Sequence, residues 1–493
     1  MSTALTAAAV TAVLFVAAGL VVTSVRAEPM SGGKPNIVFV LTDDLDSELL
    51  TYMPEVKRLR ADGVSFTNYS VTDSLCCPSR ASIFTGRFPH NTGVFTNDPE
   101  DGGYAAFQRK NLEEVTFGVA LQKQGYRTAM MGKYLNSYEP VGTLPGKAYV
   151  PPGWDDWAVS GKEGYRGFDY TLNENGWLIR YGHQPSDYLT DVLSAKGSRF
   201  IRESARSGDP FMLEIATYAP HSPYTPAPRD RHKFPGLEMP RDPSFDERDV
   251  SDKPTWVHEM PRLSRADIAQ INRDHRKRAR SVLAVDRMLG KLRATLEKTG
   301  QADNTYVVFS SDNGYHLGQH RLLTGKKTAF STDVSVPLIA AGPGLLAGQT
   351  RRQVAENIDL NPTFTDIGGA PGRDVDGVSL LPIMQGRKVP AWKTAALVEH
   401  HGPNNDKSDP DFQQTRNANP PTYAALRTAM TTYVEYDTGE REYYDRRRDP
   451  YELTNTYPTL PTAKRRSLHR QLTALRRCQG STSCTTAAGG RIG

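Results

Sequence analysis

The sequence predicts an α/β protein: a large doubly wound mixed sheet flanked by helices, then a smaller C-terminal α+β domain with a short antiparallel sheet plus helix. Three observations predict it. Apolar runs such as Asn36–Thr42 and 305–310 are unbroken, as strands covered on both faces require. Such runs alternate with helix-like segments up to Leu381 and Pro382. Beyond them, four short strand-like segments at 395–399, Tyr423–Thr428, 432–436 and Arg441–Asp445 follow one another, with a hairpin turn at 437–440, before a helix over 462–476.

The length of 493 residues exceeds what one core serves, which predicts a main domain over 35–385, a smaller one over 386–477 and a tail over 478–493. The 60 basic and 55 acidic side chains leave a formal charge of +5, too mild for a nucleic-acid partner and compatible with anionic substrates. Residues 4–25 form an Ala-, Val- and Leu-rich run, and Val25-Arg26-Ala27 offers small residues where a signal peptidase reads. A signal peptide over 1–27 is therefore expected, with a secreted or extracytoplasmic protein. The run approaches the length of a membrane span, so a membrane is expected as a partner only if this segment stays uncleaved. In an oxidising compartment Cys478 and Cys484 of the tail would close a small loop.

In chain order, the first strand ends in Asp43 and Asp44, at the strand end where open α/β sheets place ligands. A short helix is expected over Pro54–Asp62. Another is expected over 78–85, with Pro78 in its first turn. A helix over 112–124 leads into a strand over 126–131 that ends at Gly132-Lys133-Tyr134-Leu135-Asn136. The run 210–217 leads likewise into Pro220-His221-Ser222-Pro223. Prolines and charges dominate 223–261, which reads as an irregular surface excursion. Ser264, with Asp267 three residues on, caps a helix running to Lys298 whose buried stripe includes Ile268, Ile271, Val282, Val285, Leu289, Leu292 and Leu296. Its basic segment 273–280 reads as a solvated face, the usual fate of a charge run, rather than as a contact for a sulfated polymer. The strand 305–310 ends in Ser311-Asp312-Asn313-Gly314, and a further strand follows over 336–341.

Asp43, Asp44, Asp312 and Asn313 supply oxygen ligands at strand ends, which suits Ca²⁺, with Mg²⁺ as the alternative, better than Zn²⁺. Each pair alone reads more readily as helix or turn caps. Cys76 and Cys77 alone read as half-buried thiols before a helix.

Cys76-Cys77-Pro78-Ser79-Arg80 followed by Thr85-Gly86 resembles the C-x-P-S-R-x-x-x-x-T-G signature of the type I sulfatases, in the alkaline phosphatase superfamily. The resemblance implies that a formylglycine-generating enzyme oxidises Cys76 to formylglycine. One hydroxyl of the aldehyde hydrate then attacks sulfur, and the other expels sulfate by collapse to the carbonyl. It further implies that Arg80 orients the hydrate. Asp43, Asp44, Asp312, Asn313 and the residue made from Cys76 would hold the metal, while Lys133, His221 and Lys326 would face the sulfuryl group, with His316 a further candidate. For a single histidine or lysine, an ordinary structural role is the commoner one.

Gly132 to Asn136, Ala219-Pro220-His221-Ser222-Pro223 and the stretch Ser311 to Gln319 are similar to the N-acetylglucosamine-6-sulfatase branch. That branch implies a sulfated sugar such as N-acetylglucosamine 6-sulfate, or an aryl sulfate, as substrate. The chain departs from many arylsulfatases at Leu135, where a histidine is usual, and at Ser331, where glutamate is. His400, His401, Asn404 and Asn405 are candidate sugar contacts or plain surface loop. The alternatives are a phosphonate monoester or phosphodiester hydrolase of the same superfamily, and a non-catalytic binder of sulfated glycans.

Overall fold

The central strand Asn36–Thr42 is buried along its whole length and sets the plan of the molecule. Ile37, Phe39 and Leu41 point into one apolar core with Phe84 and Phe364, while Val38 and Val40 point into another with Val282, Val285 and Leu289. Both faces of the strand are therefore covered, which is why its sequence does not alternate. Phe39 packs 5.1 Å from Phe364; truncating such a ring costs about 3–5 kcal/mol.

In this computed structural model the described residues are 33–490, except 145, 146, 371–373, 406, 408 and 410. The expected signal peptide lies outside them. Among the described residues no helix is long and apolar enough to cross a membrane.

The large sheet has ten strands in the order Gln349–Glu356, Val64–Ser70, Leu338–Ala341, Thr305–Ser311, Asn36–Thr42, Phe211–Ala216, Arg127–Lys133, Asp156–Ser160, Thr171–Glu174 and Trp177–Arg180. Its middle is parallel: Asn36–Thr42 pairs with Thr305–Ser311 on one side and Phe211–Ala216 on the other, and Arg127–Lys133 continues the sense. Leu338–Ala341 and the hairpin of Thr171–Glu174 with Trp177–Arg180 run antiparallel, so the sheet is mixed as expected. A second sheet holds Ala395–His400, Tyr423–Thr428, Thr431–Tyr436 and Arg441–Asp445, all antiparallel. Helix Thr462–Leu475 buries Leu468, Leu472 and Leu475 in one core with Leu397 and Leu426 of that sheet. Cys478 and Cys484 are joined in a disulfide.

The long helix Arg265–Lys298 begins where the sequence places it. Ser264 accepts from the Asp267 amide, and the Asp267 carboxylate accepts from the Ser264 amide in return. Two expectations change. The helix expected over 112–124 divides into a 3-10 turn, Leu112–Val115, and a helix, Phe117–Gln122, because Thr116 caps the Val119 amide. The basic segment of the long helix is not wholly solvated: Arg278 is fully buried.

Candidate active site

Strand register assembles the site. Thr42 lies level with Ser311, and Leu41 and Gly132 both lie level with Ala216. The residues that follow these positions, Asp43, Asp44, Asp312, Asn313, Lys133 and the turn bearing His221, therefore emerge together at the carboxyl edge of the parallel strands. Helix Cys76–Thr85 enters this edge with Cys76 in its first turn, and every one of its residues is buried.

Cys76 Sγ lies 2.7 Å from Lys326 Nζ, 3.5 Å from Asp43 Oδ1 and 3.3 Å from Asp411 Oδ2. Burial first, and then the Asp411 carboxylate, push the thiol well above its ordinary range against the pull of Lys133 and Lys326. A thiol held protonated is a poor nucleophile, so the cysteine as encoded is ill suited to attack.

Lys133 Nζ donates to Asp43 Oδ2 at 2.7 Å, and Lys326 Nζ to Asp44 Oδ1 and Asp411 Oδ1, each at 2.6 Å. Burial alone would raise the Asp43 pKa, but Lys133, His221, Arg80 and Lys326 outweigh it and hold the carboxyl below the usual range. Burial would lower both lysines, yet their carboxylate partners hold them well above their ordinary values. His221 faces two acceptors, the Ser222 carbonyl at Nδ1 and Asp411 Oδ1 at Nε2, both 2.7 Å away, so both ring nitrogens carry protons. Burial opposes that charge, and Asp44, Asp43 and Asp411 overcome it.

Arg80 is tied to two strand ends, and its Nη2 is buried without a hydrogen-bond partner. Its Nε donates to Asp312 Oδ2 at 2.7 Å and its Nη1 to the Lys133 carbonyl at 2.8 Å. Burial, joined by Asp43, raises the Asp312 carboxyl to about 6 against the pull of Arg80. His316 is turned elsewhere, with Nδ1 3.0 Å from the Asp333 carboxylate and Nε2 3.0 Å from the Asn417 carbonyl.

The donor set suits a metal ion. One atom each from Asp43, Asp44, Cys76 and His221 lies within 4.8 Å of all the others, and with both His221 nitrogens protonated the oxygen donors among these are those of Asp43 and Asp44. Asn313 gives its amide nitrogen to Asp44 Oδ1 at 2.7 Å, while its Oδ1 is buried without a hydrogen-bond partner. An unpartnered buried carbonyl beside two carboxylates fits a hard cation. Asp312 reaches the Asp44 amide at 3.2 Å through Oδ1 and so also orders the loop that carries Asp44.

Sequence reasoning missed Asp411. Its carboxylate is buried among Lys326, His221, Asn136 at 3.0 Å and Asn97 at 2.8 Å, the surroundings an anion would choose. No motif in its local sequence marks it as a site residue. One cavity of about 280 Å³ is lined by Asn97, Lys133, Asn136, Tyr165 and Asp409. Another of about 350 Å³ is lined by Asp44, His221, Tyr224, Lys326 and Asp411. Among the expected sugar contacts, His400 is fully buried, 3.3 Å from Asp73, and is closed to a ligand. His401 stacks on Phe95 at 3.7 Å and pairs with Asp101. Asn404 donates to Asp409, and Asn405 is exposed. Leu135 is buried, and at Ser331 a carboxylate arrives from elsewhere, since the Ser331 amide donates to Glu452 at 2.7 Å.

Residues 35–370 match the family model described as Sulfatase, and residues 318–478 match the one for the C-terminal region of N-sulphoglucosamine sulphohydrolase. The chain belongs to the sulfatase family. It is thus a sulfuric ester hydrolase. This sulfatase is 35% identical to the N-acetylglucosamine-6-sulfatase of Homo sapiens over 482 residues, 92% of this chain and 86% of that protein. It is 31% identical to an arylsulfatase of Volvox carteri over 511 residues, 92% of this chain and 76% of that one. Its fold matches, with TM-score 0.72, a structure solved in complex with the substrate D-glucosamine-2-N,6-O-disulfate. That match is 24% identical and covers 92% of this chain and 98% of the other.

Proposed function

We propose that this sulfatase removes 6-O-sulfate from a glucosamine-type sugar, using formylglycine made from Cys76 and a Ca²⁺ ion held by Asp43, Asp44, Asp312 and Asn313. The observation that carries the chemistry is the set of cations around a buried thiol: Lys326 touches Sγ, and Lys133 and His221 flank it across Asp43 and Asp411. Support for the sugar comes from the N-acetylglucosamine-6-sulfatase relatives. The ion would act as a Lewis acid on the sulfuryl oxygens, and the aldehyde hydrate would supply a nucleophile that the protonated thiol cannot.

The chain's own residues do the rest. Lys326 and Lys133 set fixed positive charge where the sulfate ester gains negative charge, in a site too buried for water to screen it. His221, protonated on both nitrogens, holds a proton at Nε2 that can pass to the leaving sugar oxygen. Arg80 binds Asp312 and the Lys133 backbone and so ties helix Cys76–Thr85 to two strand ends. The maturation enzyme for Cys76 and an extracytoplasmic location belong to the same reading; the apolar run over 4–25 and the Cys478–Cys484 disulfide support the location.

Turnover of glucosamine 6-sulfate beside an aryl sulfate and an aryl phosphonate tests the substrate. The expected order places the sugar sulfate first, and a phosphonate preference would overturn it. Peptide mass spectrometry across Cys76 tests the nucleophile: an aldehyde is expected, and an unmodified thiol in active enzyme would overturn that part.

A further inference from the structure

The long helix Arg265–Lys298 lies behind the sheet edge, and one of its side chains reaches through to the site. Arg278 is fully buried. Its Nη2 donates to the Asp44 carbonyl at 2.6 Å and to Asp46 Oδ2 at 2.7 Å, and its Nη1 approaches the Pro220 carbonyl at 3.4 Å. The guanidinium centre also lies 4.2 Å from the Tyr315 ring, and Tyr315 shares a 2.8 Å hydrogen bond with Tyr224. One planar cation thus touches three turns: that of Asp43 and Asp44, that of His221, and the one that follows Asp312 and Asn313.

Asp44 adopts a left-handed backbone, φ 62°, which is uncommon for a residue with a side chain. Such a conformation persists where its surroundings over-determine it. Here the Asp44 carbonyl is held by Arg278, its amide by Asp312 and its carboxylate by Lys326 and Asn313. The guanidinium reaches these partners from two nitrogens held in one plane, whereas a lysine would have to reach them from a single nitrogen.

We propose that Arg278 is the positioning residue of this active site, registering the Asp44 metal loop against the His221 turn from behind the sheet. It touches neither substrate nor the thiol. The inference rests on the metal reading given above, because its consequence is a preorganised set of oxygen ligands next to the histidine.

The test compares Arg278→Lys and Arg278→Gln with Val285→Ala, a buried core substitution on the same helix, in the matured enzyme. Calcium affinity is read by calorimetric titration, kcat and KM on the sulfated sugar, and Tm. Both Arg278 variants are expected to bind Ca²⁺ about tenfold more weakly and to lose kcat by about tenfold or more while KM moves little. Val285→Ala is expected to lower Tm yet keep calcium affinity and kcat. Calcium affinity and kcat that fall in all three variants in step with Tm would reduce Arg278 to a structural residue and overturn the proposal, as would Arg278 variants with the wild-type values. Failure of the wild-type enzyme to bind calcium would instead overturn the metal reading itself.

Discussion

Lys326 Nζ lies 2.7 Å from Cys76 Sγ, although 250 residues separate them in the chain. The lysine reaches the thiol while it also binds Asp44 and Asp411, so its charge is fixed in place before any substrate arrives. Lys326→Ala is expected to lower kcat/KM on the sulfate ester by about 10²–10³-fold, the loss typical of removing one preorganised donor. Steady-state kinetics on protein shown by circular dichroism to be folded checks this, and a loss below about threefold would remove Lys326 from the chemistry.

Exhaustive chelation is expected to abolish turnover, with Ca²⁺ restoring it. Asp312→Ala should cut activity by about 10²-fold or more, because it would remove a proposed hard ligand together with the partner of Arg80. Activity that survives both treatments would exclude the metal from the mechanism.

Asp411 pairs with Lys326 and His221, the cations proposed to face the sulfuryl group, so its carboxylate would compete with a sulfate for them. An internal competitor lowers apparent affinity by the fraction of time it occupies the seat. Asp411→Asn should therefore strengthen inhibition by inorganic sulfate and lower KM for the ester, by about tenfold if Asp411 is seated nine-tenths of the time. A drop in kcat at constant KM would instead make Asp411 part of the reaction.

Glu214 lies within strand Phe211–Ala216, fully buried, and neither carboxylate oxygen has a partner. Burial raises its pKa from 4.5 to about 8, against the pull of Arg80. Between those values the folded protein binds a proton that the unfolded chain has lost. This contribution to stability is complete below the unfolded pKa and falls as pH rises, by about 1.4 kcal/mol per pH unit. Glu214→Gln should flatten that slope in urea unfolding across roughly pH 5 to 8, and parallel slopes for the two proteins would refute it.

What the sequence disclosed depended on how each element is covered. Asn36–Thr42 and Thr305–Ser311 are buried on both faces, so their apolar runs stand out, and the acids after them could be assigned to one edge. Gln349–Glu356 has a largely exposed, charged first half, and Trp177–Arg180 is exposed throughout, so neither carries a buried strand's pattern. Helix Leu189–Ser207 buries small polar residues, Thr190, Ser194, Ser198 and Ser204, beside Leu193, Phe200 and Ile201, so its buried face is wider than its apolar residues alone mark. Asp411 joins Cys76 across 335 residues, and Arg278 sits within a run of surface-like charges. Both are products of tertiary placement that no local pattern encodes.

The depth of Cys76 has a consequence for timing. The side chain is wholly shielded, and the groups that enclose it come from the strand end at Asp43, the turn of Lys326 and the segment of Asp411. Under the proposed conversion of Cys76, a modifying enzyme would reach Cys76, Pro78 and Ser79 only before the turn of Lys326 and the segment of Asp411 close over the helix. On that reading maturation and folding would be in a race. A variant that folds faster, with no change near the nucleophile, would leave the host with a larger share of correctly folded but inert protein.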